Sequence, residues 1–155
     1  MLPTICSAQA LDIGGVELRL GQDVTAAVAQ LKSLYDVSYD DASKTWFVSK
    51  RKTATEVTWL GNIEANGGRV ARLTKAYTIS NEADVITPYT LAMREVQRRG
   101  GTTCSTAPIE RTDDSFHEVR TTCGAYSLTL HLPWVTTDGA HVVMGVSIAV
   151  GRSTR

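Results

Sequence analysis

Near the end of the chain, two stretches alternate apolar and polar residues with a period of two. Four apolar residues fill every second position of the first stretch, namely Tyr126, Leu128, Leu130 and Leu132. The second stretch, at 141–150, has small or apolar residues at both sets of alternating positions. A period of two is typical of a β-strand, and apolar residues on both faces indicate a strand in the middle of a sheet. The sequence therefore favours a fold built on a sheet.

The same periodicity predicts further strands and two helices. Strands are expected at 16–20, 45–51, 56–64, 69–78, 102–111 and 116–132. Apolar residues recur at helical spacing over 24–35, directly after Asp23, which is a favourable N-cap residue. A second helix is expected to begin with Thr87 as N-cap and Pro88 in the first helical position, and to end at a pair of glycines.

Each predicted helix is followed by three strands, and one strand precedes the first helix. With 155 residues, the chain has the length of a single domain. We expect an α+β fold in which an antiparallel sheet carries both helices on one face. The domain is expected to span 11–155 and to consist of two tandem α-β-β-β units, at about 11–79 and 80–155.

The first ten residues resemble the end of a signal segment. Ala8-Gln9-Ala10 matches the small-x-small pattern before a signal-peptidase site, which would make Leu11 the first residue of the mature chain. The preceding residues contain no Lys or Arg and are shorter than a usual apolar region. Either Met1 therefore lies inside a longer signal peptide, or the match is accidental. The two alternatives are a periplasmic or secreted protein and a cytoplasmic one.

Two of the three cysteines occupy facing positions in a predicted hairpin. If 102–111 and 116–123 pair as antiparallel strands around Asp113-Asp114, Cys104 lies opposite Cys123. Facing positions have close to the Cα separation that a disulfide bridges. The alternatives are two free thiols, as is usual in the cytosol, and a metal pair, for which further ligands at suitable spacing are missing. We favour the disulfide, which agrees with export.

One segment of an otherwise neutral chain is basic. Sixteen Lys and Arg residues balance sixteen Asp and Glu residues, so no overall field attracts nucleic acid or an anionic membrane. Between residues 44 and 75, seven basic residues stand against two acidic ones. The candidates for a basic patch in this segment are Lys50, Arg51, Lys52, Arg69 and Arg72.

The aromatic residues of the basic segment allow two interpretations. Aromatic side chains among basic residues are typical of sites for single-stranded nucleic acid. However, Trp46 alternates with Val48 as a core residue would, and Trp59 shares one predicted strand face with Gly61 and Ile63. We therefore favour Trp46 and Trp59 in the core and the basic residues in a solvated turn.

The sequence contains no catalytic motif that would indicate an enzyme. A G-x-S-x-G elbow, a P-loop and a G-x-G-x-x-G turn are all absent. His131 and His141 are expected to face each other across a hairpin, and a metal there would need a third ligand such as His117 or Asp138. We favour two surface histidines, and predict no metal site and no cofactor. The apolar runs are too short for a transmembrane segment.

The loop between these two histidines offers candidates for contact with another protein. Trp134 stands between Pro133 and Val135, at a position where no periodicity requires burial. Tryptophan is strongly enriched among the residues that dominate binding energy at interfaces. The three residues are therefore candidates for binding a partner protein, and the alternative is that Trp134 covers one end of the core.

The pattern of the whole chain resembles that of small exported bacterial proteins. "GGVELRLGQDVTAAVAQLKSLY", followed by strands and by "GNIEANGGRVARLTKAY", is similar to the small outer-membrane lipoprotein type, although Ile5 precedes Cys6 where a lipoprotein has Ala or Gly. Two such units in tandem resemble the β-lactamase-inhibitor-protein fold. The resemblance implies binding to another protein and not an activity.

From these features we expect an exported, non-catalytic protein-binding module, in the periplasm or secreted. The alternative is a cytosolic domain that binds nucleic acid or another ligand through the basic segment at 44–75.

Overall fold

The alternating segments form an eight-stranded antiparallel sheet. The computed structural model of the chain describes residues 9–77, 85–109, 116–133 and 143–149. In chain order, its helices and strands are β1 (Ala10–Ile13), β2 (Val16–Arg19), α1 (Val24–Lys32), β3 (Asp36–Asp40), β4 (Thr45–Arg51), β5 (Val57–Asn66), β6 (Arg69–Tyr77), α2 (Ile86–Gly100), β7 (Cys104–Ile109), β8 (Phe116–Cys123), β9 (Tyr126–Pro133) and β10 (Val143–Ala149).

The strand order of the large sheet joins two meanders. The order is β3-β4-β5-β6-β10-β9-β8-β7, and each neighbouring pair is antiparallel. Strands β3 to β6 form one meander, β7 to β10 form the other, and their last strands pair in the middle of the sheet. The central position of β10 is the one that its two apolar faces predicted. Strands β1 and β2 form a separate hairpin.

One face of the large sheet packs against both helices and the hairpin. The core is a single cluster whose fully buried members include Leu11 of β1, Leu31 of α1, Val96 of α2, Leu73 of β6 and Ile148 of β10. Complete burial of one such side chain contributes about 1.5–3 kcal/mol to stability. The strand residues between these core positions point to the other face, which we call the open face. The α+β fold with an antiparallel sheet is therefore confirmed.

The structure has more strands than the sequence predicted. Each helix is followed by four strands and not by three, because β3 was not expected and the segment 116–132 forms two strands, β8 and β9. The turn between β8 and β9 falls at Gly124, whose φ of 60° is a conformation that few residues other than glycine adopt. Strand β1 was not expected either, since its residues were taken to border a signal segment.

Two of the four predicted helix ends are confirmed, namely the start of α1 and the end of α2. The Asp23 side chain accepts a hydrogen bond from the Ala26 N–H at 3.0 Å, so it is the predicted N-cap of α1, although that helix ends at Lys32. Helix α2 ends at Gly100 as expected but begins at Ile86. Pro88 therefore lies within the first turn, where its missing N–H costs no helical hydrogen bond. Neither helix in the described part of the chain is long and apolar enough to cross a membrane.

The start of the fold overlaps the predicted signal segment. Residues 1–8 lie outside the described residues, but Ala10 is part of β1. Its carbonyl accepts hydrogen bonds from the Tyr126 hydroxyl and from Arg99 Nη1, both at 2.9 Å. The folded region therefore begins before Leu11, the first residue of the predicted mature chain.

A network of four charges and a tyrosine ties β1 to the sheet and to α2. Lys75 Nζ lies 3.0 Å from both Asp12 carboxylate oxygens and 3.1 Å from Glu95 Oε2. Arg99 Nε contacts Glu95 Oε1 at 3.1 Å, and Arg99 Nη2 lies 3.6 Å from Asp12. The Tyr77 hydroxyl donates a hydrogen bond to Glu95, and burial together with this carboxylate raises the pKa of Tyr77 well above its ordinary value. Two acids and two bases compensate each other here, as groups this poorly hydrated require.

A disulfide closes the outer end of the second meander. Cys104 of β7 and Cys123 of β8 are directly paired in the sheet, with 4.3 Å between their Cα atoms, and they are joined by a disulfide. The predicted register of this hairpin is confirmed. Its predicted turn at Asp113-Asp114 lies outside the described residues. Pro108 lies on β7, an edge strand, where its missing N–H breaks no ladder of the sheet.

Candidate functional site

A cleft of about 250 Å³ crosses the middle of the open face. Its lining comes from five strands of both meanders: Trp59 and Asn62 of β5, Arg72 and Thr74 of β6, Glu118 and Arg120 of β8, Thr129 and His131 of β9, and Gly145 and Ser147 of β10. Most of these positions alternate with core residues such as Leu73, Leu128 and Val146. The cleft is thus the polar half of the pattern whose apolar half forms the core.

Short polar side chains form the floor of the cleft. The register aligns Asn62 with Thr74, Thr74 with Ser147, and Ser147 with Ser127 in one row across four strands. At Gly145, an added Cβ would lie 3.1 Å from Thr74 Cγ2, which is closer than side chains normally pack. The small side chains of the floor therefore give the cleft its depth. Their hydroxyl and amide groups provide both hydrogen-bond donors and acceptors.

Trp59 forms one wall of the cleft, contrary to the prediction that it belongs to the core. In the pairing of β4 with β5, Val48 lies opposite Gly61 but Ser49 lies opposite Trp59, so Leu60 is an extra residue. A bulge of one residue turns the following side chains to the other face of a sheet. Trp59 is half-buried on the open face, and its Nε1–H donates a hydrogen bond to the Gly61 carbonyl at 2.9 Å.

Glycine is required beside this bulge. Gly61 has a φ of 153°, and a Cβ at this position would collide with the carbonyl oxygen of Thr74 on β6. A close approach of two backbones is a common reason for glycine inside a strand. The bulge, and with it the position of the Trp59 indole, therefore depends on the absence of a side chain at Gly61.

A buried carboxylate lies at the other end of the cleft. The Glu118 side chain is only 3% exposed, with Arg120 Nη2 at 3.6 Å from Oε1 and His131 Nδ1 at 3.5 Å from Oε2. Glu118 and Arg120 share a face because they are two residues apart on β8, and His131 lies directly opposite Glu118 on β9. A carboxylate so poorly hydrated needs such partners. The buried Glu118 carboxylate thereby holds the side chains of Arg120 and His131 in position at this end of the cleft.

A second arginine enters the cleft from the opposite corner. Arg72 of β6 lies opposite Glu64 of β5, and its Nε is 3.9 Å from Glu64 Oε2. Three strand spacings separate β6 from β8, which is about 14 Å across the sheet. Arg72 and Arg120 are thus two separate donors that flank the hydroxyl floor.

The predicted basic residues do not form one continuous patch in the structure. Lys50 pairs with Thr58 at one end of β5, whereas Arg69 pairs with Asn66 at the other end, about 25 Å away along the strand. Among the predicted basic residues, Arg72 alone lines the cleft. Trp46, as predicted, packs against the core.

Several of the basic residues are already paired with acids. Arg51 Nε lies 3.6 Å from Asp36 Oδ2, and Lys52 Nζ lies 3.2 Å from Glu56 Oε1. Both pairs are well exposed, so each contributes little to stability. Lys50 and Arg51 border a shallow depression at the end of α1, away from the cleft.

The predicted facing of His131 and His141 is contradicted by the register at His131. The register places His131 opposite Val143 of β10, two residues beyond His141, so the expected facing of His131 and His141 is wrong. His141 itself lies outside the described residues. Within the described part of the chain, no group of three or more His, Cys, Asp and Glu side chains is arranged to hold a metal ion.

The predicted protein-contact loop is largely outside the described residues. Trp134 and Val135 belong to the undescribed segment, and Pro133 is described only as the last residue of β9. Their predicted contact with another protein stays a prediction.

The described residues form a cleft with donors at two corners, an aromatic wall and a hydroxyl floor. Sequence reasoning missed Glu118 and Arg120 of β8 and Thr129 of β9. The available signal was their spacing, since Val119 separates the first two and Leu128 and Leu130 flank Thr129. Comparison of the chain with protein-family models, with curated proteins and with solved structures found no match.

Proposed function

We propose that the chain is a non-catalytic module that binds another protein on the open face of its sheet. The observation that carries this proposal is the cleft, whose lining brings Trp59 together with Arg72 and Arg120. Tryptophan and arginine are enriched among the residues that dominate binding energy, and such residues lie near the centre of an interface. The cleft lies in the middle of the face, where a hot spot is expected.

The dimensions of the open face also support a protein partner. Eight strands at the usual spacing give a width of about 34 Å, and strands of seven residues are about 23 Å long. The resulting area of about 800 Å² equals the surface that one partner contributes to an interface of standard size. The cleft, which is much smaller, then receives only a part of the partner.

Export to the periplasm or outside the cell is the second part of the proposal. The Cys104–Cys123 disulfide is compatible with an oxidising compartment. Because Ala10 takes part in the fold, a cleavage site before Gln9 would leave these contacts intact, whereas one after Ala10 would remove them. Production with the native upstream region, followed by intact-mass measurement before and after reduction, tests export. A full-length N-terminus with three alkylatable thiols would contradict it.

We also propose that the two halves are copies of one structural unit. Each half has a helix followed by a four-stranded meander, and the meanders meet through their last strands. The unit is thus one strand longer than the α-β-β-β unit that the sequence predicted.

The alternative function, nucleic-acid or ligand binding through the segment 44–75, has less support. A continuous basic surface would be needed to follow a phosphate backbone. Lys50 and Arg69 lie at opposite ends of the sheet, and Arg51 and Lys52 are paired with acids. Protein partners on the open face are therefore favoured.

Differential capture with two matched variants tests the proposal. Trp59→Ala removes the wall of the cleft, whereas Leu91→Ala removes a side chain of α2 that is 52% exposed on the helix side of the molecule. We expect the wild type and Leu91→Ala to capture the same envelope or secreted protein, and Trp59→Ala to bind it at least tenfold more weakly, as for a residue contributing 2 kcal/mol. Equal capture by both variants, with both folded by thermal melting, would refute the proposal.

A further inference from the structure

The charges accessible in the cleft are positive, although the chain as a whole is neutral. The side chains of Arg72 and Arg120 are 49% and 48% exposed, whereas that of Glu118 is 3% exposed. Glu118, the only carboxylate among the described residues of the lining, is therefore withdrawn from an approaching partner, while both guanidinium groups remain available. Such a surface is complementary to a partner with negative charge.

Each arginine lies beside an acid, Arg120 beside the buried Glu118 and Arg72 beside Glu64, which is 41% exposed, and each keeps donors for a ligand. Glu118 contacts one terminal nitrogen of Arg120, and Glu64 lies beside Nε of Arg72. A guanidinium has five N–H donors, so several remain after one such contact. The remaining donors form a planar fork that matches a carboxylate group.

The separation of the arginines excludes a single small anion as a ligand of both. Arg72 pairs with Ala149, and Arg120 pairs with Thr129, which in turn pairs with Gly145. The two arginines are thus offset by four residues along the strands and by three strand spacings across them, which gives about 20 Å between their Cα atoms. An extended segment of six residues has this length, and two of its side chains can each meet one arginine.

The floor between the arginines suits a polypeptide. A peptide backbone presents a donor and an acceptor at each residue, and both need partners once water is displaced. Thr74 and Ser147 supply hydroxyl groups between the two corners, and Asn62 adds an amide beside Thr74 on β5. Trp59 adds an apolar surface for the aliphatic part of a side chain.

We infer that the cleft receives an extended acidic segment of the partner protein, with one carboxylate at Arg72 and another at Arg120. The inference rests on the proposed function and specifies the chemistry of the partner at the same site. Glu118 acts as a positioning residue that orients Arg120 and does not touch the partner.

Titration calorimetry on the full chain with short peptides tests the inference. At low ionic strength, hexaglutamate is expected to bind measurably, hexalysine is expected not to bind, and free glutamate is expected to bind far more weakly than hexaglutamate. Binding of hexaglutamate is expected to weaken as salt is added, because the contacts are partly exposed ion pairs. Absence of hexaglutamate binding, or equal binding of hexalysine, would overturn the inference.

Three variants locate the binding. Arg72→Ala is expected to weaken hexaglutamate binding about tenfold or more, since it removes hydrogen bonds to a charged group. Arg51→Ala, which removes an exposed arginine outside the cleft, is the matched control and is expected to leave binding unchanged. Arg120→Lys keeps a charge beside Glu118 but loses the planar fork, and it is expected to weaken binding without unfolding the chain. Equal effects of Arg72→Ala and Arg51→Ala would refute the inference.

Capture of the natural partner separates the inference from the proposed function. If Arg72→Ala leaves capture intact while Trp59→Ala abolishes it, the partner uses the cleft without an acidic segment, and only the inference is wrong. If Trp59→Ala also leaves capture intact, both the proposed function and the inference are wrong. Loss of capture in both variants supports both.

Discussion

Removal of the disulfide is the perturbation whose effect on stability follows most directly from the structure. The bridge joins residues 19 apart in sequence, and in the chain-entropy model a loop of this size stabilises the fold by about 3 kcal/mol. Cys123 is completely buried, so replacing both cysteines by alanine adds about 1 kcal/mol for the lost packing. Since a chain of 155 residues loses about 2–4 °C of Tm per kcal/mol, Cys104→Ala/Cys123→Ala is expected to melt roughly 8–16 °C lower.

Urea unfolding at neutral pH measures this loss, in a Cys6→Ser background that leaves only the two relevant thiols. The reduced form of the Cys6→Ser protein, with Cys104 and Cys123 unchanged, is the matched control, because it keeps both sulfur atoms and lacks only the bond. It is expected to lose about 3 kcal/mol, and the alanine variant slightly more. If oxidised and reduced protein differ by less than about 1 kcal/mol, the argument from loop entropy is refuted for this hairpin.

Three further predictions concern Gly61 beside the bulge, the carboxyl group of Asp40 and the hydroxyl group of Tyr77. Gly61→Ala is expected to destabilise the fold by more than about 3 kcal/mol, since its Cβ collides with a backbone carbonyl of β6, and urea unfolding measures this. Hydrogen bonds from the Ser43 hydroxyl and N–H lower the pKa of Asp40 below its ordinary value of 3.8. The ionised Asp40 therefore stabilises the folded state above pH 3.8, and this contribution is lost as pH falls through the lowered pKa. In Ser43→Ala, an NMR titration is expected to show the pKa of Asp40 rising back towards 3.8. Burial and Glu95 raise the pKa of Tyr77 above 10.0, so the folded chain keeps a proton that the unfolded chain loses. Stability is therefore expected to fall as pH rises above 10.0, with ultraviolet absorbance showing one tyrosine that ionises only on unfolding; ionisation of all tyrosines in the folded state would contradict this.

Local signals in the sequence predicted the parts of the fold that depend on neighbouring residues. The pairing of Cys104 with Cys123 follows from one hairpin and its short connection, and the structure has that register. The N-cap at Asp23 is likewise a property of four consecutive residues. By contrast, the β9–β10 hairpin has a longer connection, and its predicted register was wrong by two residues at His131. Longer connections constrain register less, because more turn geometries fit them.

The bulge at Leu60 explains why Trp59 was assigned to the wrong face. In sequence, Trp59, Gly61 and Ile63 alternate perfectly, and a regular strand would bury all three. The extra residue stands beside Gly61, which approaches the backbone of β6 closely, and this approach is a contact between strands and not a property of β5 alone. A glycine inside a strand was the available signal, since it often marks a bulge.

The cleft depends on the pairing of β6 with β10, which joins the two halves of the chain. Arg72 and Trp59 come from the first meander, whereas Glu118 and Arg120 come from the second. Thr74 and Ser147 form the seam between them, 73 positions apart in the sequence. In sequence, these residues resemble ordinary solvated positions of a half-buried strand, and the pairing of β6 with β10 brings the two arginines into the lining of one cleft. A binding site of this kind therefore requires both halves, and neither meander alone contains the two arginines that the inferred acidic segment needs.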